Sequence, residues 1–190
     1  MAVAKPFLLC YTLTMLSVKK EIKTQRENLT SCEVELLSSA VLNNLISIDY
    51  LWEKSNFFVY NSFRNEVDTK KIISRLKALN KRVAYPITLG EEMVAGVPIS
   101  KEFVKDKFGV LTPKDYTVLT EIDVAIIPLL LCDSKKNRVG YGKGYYDRFL
   151  SKTPCLKVGV CYDFQVVESL TLNPWDIPLD IIVTPTRVIK

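Results

Sequence analysis

Residues 124–131 (VAIIPLLL) form a continuous apolar run that leads into a polar stretch and then a glycine cluster. A run without polar alternation is typical of a strand buried on both faces, as in a parallel sheet covered by helices on both sides. Upstream, a β-prone run at 56–60, an amphipathic stretch at 70–79 and a second run at 82–86 follow one another in the order of a βαβ unit. The chain has no repeat and no Pro/Ser linker, so we expect one continuous α/β domain.

Other segments fit the same class. Thr30 and Glu33 have capping-box spacing before an amphipathic helix expected at about 31–48. Glycines and prolines in 90–122 favour hairpins and loops. A further helix is expected at 145–150, and strands are expected near 157–162 and 181–183.

The chain contains no histidine. This absence excludes Ser-His-Asp and Cys-His hydrolases, His-ligated zinc sites and a histidine general base. Chemistry must therefore depend on carboxylates, lysines, tyrosines, backbone amides or a metal held by oxygen ligands. The 5 cysteines are widely spaced and form no C-x-x-C pair, which indicates a reducing, cytoplasmic environment.

The first eighteen residues are expected to be a separate N-terminal extension, 1–18, before a domain at 19–190. Residues 7–18 carry no charge and follow Lys5, so they faintly resemble a signal peptide, but they are too short to span a bilayer and lack an A-x-A cleavage site. Met15 offers an internal start. We therefore favour a non-essential extension or a misassigned start over a secretion signal.

The net charge of +5 is small and dispersed, and no run of basic residues occurs. We therefore expect no nucleic-acid partner, although an anionic small molecule remains open. We also expect no membrane association and a monomer or weak homodimer.

Three of the 7 glycines, Gly140, Gly142 and Gly144, lie within five residues, between the buried run and a helix start. Alternating glycines permit positive φ angles and allow backbone N–H groups to converge on a phosphate, and Lys143 adds a positive charge. The spacing matches neither the P-loop nor the Rossmann fingerprint. A tight turn without a ligand is the alternative.

The segment 137–148 (NRVGYGKGYYDR) resembles the signature of the 5-formyltetrahydrofolate cyclo-ligase family, also called methenyltetrahydrofolate synthetase. Further matches follow in family order at 19–23, 65–69, 108–113, 159–165 and 176–184. The resemblance implies a three-layer α/β/α sandwich with a mainly parallel sheet. It also implies ATP- and Mg²⁺-dependent conversion of 5-formyltetrahydrofolate to 5,10-methenyltetrahydrofolate, with release of ADP and phosphate.

The resemblance also implies residue roles. Lys143 and Arg138 would be catalytic through their charge. The residues implied for ATP binding are Lys19, Lys23, Arg138, Val139, Gly140, Tyr141, Gly142, Lys143, Gly144, Tyr145 and Tyr146. Those implied for the folate are Glu66, Tyr60 and Tyr145, with Tyr146 and Gln165 as further candidates, and those implied for Mg²⁺ are Asp147 and Asp176.

The residues alone leave alternatives open. Lys19 and Lys23, four apart, would share a helix face over the phosphates or in solvent, and Lys23 stands where the family usually has Arg. Asp147 is otherwise a first-turn aspartate interacting with the helix dipole. If Asp147 is a metal ligand, we expect the Asp147→Asn variant to melt at nearly the wild-type temperature. Asp176 is followed by Asp180 in an Asp-x-x-x-Asp pattern that is common before a strand, and Asp180 is the candidate for a capping or structural role.

The segment 128–133 (PLLLCD) departs from the P-G-[LV]-A-F-D that the family usually carries, which puts substrate fit or turnover in doubt. This departure motivates a second hypothesis, a binding module that retains the ATP or folate site without turnover. A third hypothesis is a sugar-phosphate isomerase that uses a carboxylate base on a related sheet.

Overall fold

The computed structural model describes residues 5–171 and 173–190, with side chains described from residue 15 onward. The helices are α1 (Lys5–Glu27), α2 (Ser31–Ile46), α3 (Asp49–Trp52), α4 (Lys70–Ala78) and α5 (Tyr145–Ser151), with a 3-10 turn at Asp163–Gln165. The strands are β1 (Asn56–Val59), β2 (Arg82–Leu89), β3 (Glu92–Pro98), β4 (Phe103–Lys105), β5 (Leu111–Pro113), β6 (Tyr116–Val118), β7 (Val124–Pro128), β8 (Leu131–Asp133), β9 (Arg138–Val139), β10 (Leu156–Val160), β11 (Val166–Val167), β12 (Ile181–Val183) and β13 (Val188–Ile189).

An eight-stranded sheet forms the centre of the protein, in the order β13-β12-β10-β7-β1-β2-β3-β6. Its five inner strands, from β12 to β2, are parallel. Strands β13, β3 and β6 pair antiparallel at the two edges. Two smaller sheets, β11-β8-β9 and β4-β5, lie outside it. A parallel sheet buried by helices is the reason that the central strands are apolar on both faces.

Alternate side chains of the central strands enter two separate cores. In β1, Phe57 and Val59 pack with α2, α3 and α4, whereas Phe58 packs against Phe149 and Leu150 of α5. The rings of Phe58 and Phe149 lie 4.6 Å apart. Helices therefore cover both faces, and the expected α/β/α sandwich with a mainly parallel sheet is confirmed.

The apolar run at 124–131 is divided between two sheets, which corrects the expectation of one strand. Strand β7 ends at Pro128, and the chain continues into β8 of the small sheet. Gln165 Nε2 donates to the carbonyl oxygens of Leu129 and Leu130, at 2.9 and 3.1 Å. The backbone can leave the main sheet at this point without unpaired carbonyls, because the Gln165 side chain supplies hydrogen bonds to them.

The other expected elements are present with small differences in their bounds. The capping box holds: Glu33 N donates to Thr30 Oγ1, and Thr30 N donates to the Glu33 carboxylate. The expected loop region at 90–122 contains the hairpins β2–β3 and β4–β5.

Helix α1 continues from Lys5 to Glu27 across the boundary expected at residue 18. Its described side chains Met15, Val18 and Ile22 pack against Leu130 and Leu131 beyond β7. Residues 1–4 of the expected extension lie outside the described residues, and the division at residue 18 stays a prediction. Among the described residues, no helix has the length and hydropathy to cross a membrane.

Gly159 in β10 provides a test of core packing, because a Cβ atom there would overlap Leu179 Cδ1 and lie 3.0 Å from Leu129 Cδ2. We expect Gly159→Ala to lower the free energy of unfolding by about 1–3 kcal/mol, the usual cost of overpacking. Urea denaturation measures this change. The control is Gly140→Ala, whose Cβ would meet its nearest neighbour, Arg138 Nη1, at an ordinary 3.5 Å. Equal stability of the two variants would contradict the packing around β10.

Candidate active site

A cavity of about 680 Å³ lies at the carboxyl ends of the parallel strands. From β1 the chain passes through α4 to β2 on one side, and from β7 it passes through α5 to β10 on the other. The connections therefore diverge between β1 and β7, and α/β proteins bind ligands in the crevice that such a divergence leaves.

Most of the residues singled out from the sequence line this one cavity. They are Lys19, Tyr60, Glu66, Asp176 and the continuous segment 138–147, and they come from α1, the chain after β1, the glycine-rich loop with the start of α5, and the chain before β12. These residues are far apart in the sequence, yet they meet in one place. This common location makes the cavity the candidate active site.

Lys23 is not among the lining residues. Its side chain is 40% exposed and its Nζ lies 3.9 Å from Glu27 Oε1. The lining residue one turn from Lys19 is instead Met15, on the amino-terminal side. Of the expected pair, Lys19 therefore brings its charge to the cavity and Lys23 does not. The side chain that lines the cavity next to Lys19 along the helix is that of Met15.

The glycine-rich loop, residues 140–144, connects β9 to α5. Gly142 and Gly144 have φ angles of +87° and +68°, in the left-handed region that glycine adopts without strain. A Cβ at Gly142 would have nothing within 4 Å, and the Lys143 side chain is exposed. The loop therefore presents open backbone and a cation to the cavity, as an anion-binding loop requires.

Asp133 fixes the base of this loop although it is fully buried. Its Oδ1 accepts from the backbone N–H groups of Lys135 and Asn137, both at 3.0 Å, and its Oδ2 accepts from Asn137 Nδ2 and Leu170 N, both at 2.9 Å. These bonds shape the turn that returns the chain through β9 to the glycines.

Arg138 and Asp147 form a partly buried ion pair across the loop. Arg138 Nη2 lies 2.6 Å from Asp147 Oδ1, and the two side chains are 3% and 20% exposed. The guanidinium also lies 5.5 Å from the centre of the Tyr146 ring. Since the pair joins the entry of the loop to its exit, it holds the loop closed as well as placing charge in the cavity.

The two expected metal ligands are adjacent at this wall. Ile177 N, next to Asp176, donates to Asp147 Oδ1 at 3.3 Å, and Asp176 Oδ2 accepts from Asn173. Within 5–171 and 173–190, every hydrogen bond to Asp147 ends on Oδ1 and every one to Asp176 on Oδ2, so each carboxylate retains an oxygen without a protein partner. Free carboxylate oxygens fit Mg²⁺, which takes one or two carboxylates and keeps waters. No cluster of three potential ligands occurs in the described part of the chain.

Glu66 is a buried carboxylate that lines the cavity beside the glycine-rich loop, and its Oε2 accepts from Phe63 N at 3.1 Å. Its Oε1 accepts from the Tyr141 hydroxyl at 3.1 Å and lies 3.9 Å from Arg26 Nη1. Burial raises the pKa of Glu66, and the positive charge of Arg26 opposes this shift. Arg26 was missed from the sequence, where it stands among other charged residues near a helix end.

Aromatic side chains complete the cavity. Tyr60 is buried and donates to Val67 O at 2.8 Å, and Tyr145 donates to Gly90 O at 2.8 Å. Phe108 packs edge-on against Tyr145, with ring centres 5.9 Å apart. Burial raises the pKa of Tyr60 and, together with Glu66, of Tyr146. Tyr60 and Tyr146 therefore remain neutral at ordinary pH, and the aromatic rings offer apolar faces to the cavity.

Gln165 and Asp180, two further residues singled out from the sequence, have structural roles outside the cavity. Gln165 does not line the cavity and supports the chain beyond β7. Asp180 Oδ2 accepts from Lys157 N at 2.7 Å and pairs with Lys157 Nζ at 2.8 Å, so it anchors the start of β10. Asp180 is therefore the structural aspartate, and Asp176 is the one at the cavity.

An α/β/α sandwich with a glycine-rich loop and paired carboxylates at the carboxyl edge of its sheet defines a class of small-molecule-binding proteins. A model of the 5-formyltetrahydrofolate cyclo-ligase family matches residues 14–185. The chain belongs to this family, and the resemblance found in the sequence is confirmed.

Relatives and solved structures agree. The 5-formyltetrahydrofolate cyclo-ligases of Haemophilus influenzae and Escherichia coli K12 are each 30% identical, over 87% and 88% of this chain and 95% and 98% of theirs. The NMR structure of Aquifex aeolicus 5,10-methenyltetrahydrofolate synthetase superposes with a TM-score of 0.81, 31% identity and 90% coverage of both chains. The corresponding Mycoplasma pneumoniae structure gives a TM-score of 0.71 at 25% identity, covering 89% of this chain and 97% of its own. The expectation of an enzyme of the ligase class is confirmed with the family.

The Arg138–Asp147 pair changes the stability expected of Asp147→Asn. The substitution removes the charged partner of an almost fully buried guanidinium, so we expect the free energy of unfolding to fall by about 1.5–3 kcal/mol rather than stay unchanged. Thermal denaturation measures this loss without any ligand. Asp176→Asn is the matched control because Asp176 forms no ion pair with the described residues, and it should melt near wild type. A wild-type melt for Asp147→Asn would show that the pair does not stabilise the fold.

Proposed function

We propose that this chain converts 5-formyltetrahydrofolate and ATP to 5,10-methenyltetrahydrofolate, ADP and phosphate. The observation that carries the proposal is that one cavity joins the glycine-rich loop, with its cation and carboxylates, to a buried carboxylate and aromatic walls. Family membership supplies the substrate class, since the relatives named above carry this activity in their names.

The wall formed by Tyr60, Glu66, Phe108 and Tyr145 is suited to the folate. The cavity volume of about 680 Å³ lies within the range of sites for ligands of this size. Aromatic faces offer stacking to a flat ring, and an ionised Glu66 accepts hydrogen bonds from ring N–H groups. This wall would orient the formyl group toward the glycine-rich loop.

The glycine-rich loop is suited to the ATP phosphates. Its exposed backbone accommodates phosphate oxygens closely, and Lys143 and Lys19 neutralise negative charge. Arg138 contributes less directly, because its Nη2 is already bound to Asp147. Lys23 lies outside the cavity and has no part in the proposed contacts.

Asp147 and Asp176 would hold Mg²⁺ through the carboxylate oxygens that have no described protein partner. A bound Mg²⁺ supplies charge neutralisation on the phosphates and orients them. The protein's contribution is to place both carboxylates on one wall, with Asp147 oriented by Arg138.

In the proposed reaction the formyl oxygen attacks the γ-phosphorus and ADP leaves. The folate N10 then bonds to the formyl carbon, the carbon–oxygen bond breaks, and the oxygen departs in the phosphate, which takes up the proton that N10 loses. The nucleophile belongs to the substrate, so the protein needs no histidine. Its own residues bind, orient and exclude water, which is how phosphoryl transfer is chiefly catalysed.

The proposal includes small-molecule substrates, a cytoplasmic location, a monomer or weak homodimer, and no nucleic-acid or membrane partner. The free thiols of Cys32, Cys132, Cys155 and Cys161 support a reducing compartment. The altered segment at 129–132 gives no support to a binding module without turnover, because its side chains are buried and do not line the cavity.

The proposed activity is tested by following methenyl-folate absorbance after mixing the protein with 5-formyltetrahydrofolate, ATP and Mg²⁺, omitting each in turn. We expect a rise that requires all three. Without any rise, the proposed function is wrong, and binding of ATP or folate alone would then favour the binding module.

Lys143 tests the phosphate wall separately. We expect Lys143→Ala to lower kcat/KM for ATP by roughly 100-fold or more, the usual effect of removing one preorganised charged donor. Steady-state kinetics with varied ATP measure this loss. The control is Lys152→Ala, which removes an exposed lysine paired with Glu92 at the other end of α5 and should retain wild-type kinetics. Equal kinetics for both variants would remove Lys143 from the site.

A further inference from the structure

Arg26, near the carboxyl end of α1, is a fully buried arginine beside the cavity. Its Nη2 donates to the Tyr141 hydroxyl, its Nη1 lies 3.9 Å from Glu66 Oε1, and its guanidinium lies 5.5 Å from the centre of the Tyr141 ring. Within the described residues, Nε and Nη1 have no hydrogen-bond partner. Three distant segments, α1, the chain after β1 and the glycine-rich loop, therefore meet at one charge.

A purely structural residue at this place would be apolar. Arg26 continues the inward face of α1 that carries Met15, Val18 and Ile22, at the helical spacing of four residues. Burying a guanidinium whose Nε and Nη1 have no hydrogen-bond partner among the described residues is costly, and replacing buried ion pairs by apolar residues is often neutral or stabilising. The charge at this position is therefore better explained by what it does to Glu66 and Tyr141 than by stability.

The chain also holds the Glu66 segment in register with the end of α1. Asn65 Nδ2 donates to Leu29 O at 2.8 Å and to Arg26 O at 3.3 Å, while Asn65 itself has a φ angle of +54°. A non-glycine residue at positive φ is uncommon, and here its side chain compensates with hydrogen bonds to the helix end. Glu66 is thus held near Arg26 by the hydrogen bonds of the neighbouring Asn65 side chain as well as by charge.

We propose that Arg26 is a positioning residue of the folate site: its guanidinium holds the Tyr141 hydroxyl against Glu66 and stabilises the ionised carboxylate that accepts hydrogen bonds from the folate ring. The inference rests on the proposed function for the identity of the ligand. The dependence of the Glu66 charge on Arg26 does not involve a ligand and can be measured without one.

The charge state of Glu66 depends on several groups. Those facing it from other segments are Arg26, Tyr60, Tyr141, Tyr146 and Tyr162. The tyrosines are neutral at ordinary pH, since burial raises the pKa of each, to about 12 for Tyr141 and Tyr162. Among these groups, Arg26 is therefore the one whose charge opposes the rise in the pKa of Glu66 that burial causes.

The direction of the effect follows from this balance. Burial already raises the pKa of Glu66, and removing Arg26 raises it further. The ionised form exists above this pKa and is lost as the pH falls through it. Folate affinity should therefore be present at high pH, and its acidic midpoint should move upward in a variant without the charge.

The test compares wild type with Arg26→Gln and Arg26→Lys by equilibrium binding of 5-formyltetrahydrofolate across pH, and by the carboxyl-carbon NMR titration of Glu66 without ligand. We expect Arg26→Gln to move both midpoints upward by about one to three pH units, the usual effect of an opposite charge at this distance. Arg26→Lys keeps the charge and should stay near wild type. In a Glu66→Gln background, Arg26→Gln should have no further effect on the pH dependence.

Arg75→Gln is the matched control. Arg75 on α4 lies 4.9 Å from the Trp52 ring and has a buried Nε without a hydrogen-bond partner among the described residues, but it does not line the cavity. This variant should lose stability without any change in the midpoint.

The proposal is overturned if Arg26→Gln leaves both midpoints at the wild-type pH, or if the shift persists in the Glu66→Gln background. It is also overturned if neither Arg26 variant folds, since Arg26 would then be structural. A wild type that neither binds nor converts the folate refutes the proposed function instead, and the ligand-free titration of Glu66 then decides the role of Arg26.

Discussion

The parallel pairing of β1 with both β2 and β7 is the constraint on which the site depends. Parallel neighbours end at the same edge of a sheet, so the chain after β1 and the chain after β7 must leave side by side. They leave in opposite directions, which opens the crevice. Asp123 Oδ2 accepts from Ser55 N and Asn56 N at 3.0 and 2.8 Å, so the starts of β1 and β7 are also held together. The position of the cavity is thus a consequence of strand order, before any ligand-binding residue is considered.

Two ion pairs close the walls that this topology opens, and each joins segments that the sheet leaves unconnected. Arg138 and Asp147 join the two ends of the glycine-rich loop, and Arg26 and Glu66 join α1 to the chain after β1. Both arginines are almost fully buried, which is costly without a partner. The fold therefore places its electrostatic cost at the cavity, where oriented charge is useful for binding phosphate and a polar ring.

The sequence predicts features that depend on residue type at short range, and it misses those that depend on distant partners. The glycine-rich loop is visible because three glycines within five residues need a backbone reason. Arg26 is not visible, because its role depends on Glu66 and Tyr141, which are 40 and 115 positions away. Lys23 lies outside the cavity lining for a related reason: a spacing of four gives a common helix face, but the packing of α1 decides which residue of that face reaches the cavity.

The end of β7 shows how packing decides the meaning of a local departure from the family. Leu129 stands where the family usually has glycine and Cys132 where it usually has an aromatic residue. Gln165 binds the backbone there, and Leu130 and Leu131 pack with Ile22 under α1. Leu129 instead packs beside Gly159, where the absence of a Cβ leaves room for it. From this whole segment only Pro128, at its start, lines the cavity. The substitutions therefore change the core behind the site. They do not change the side chains that line the cavity.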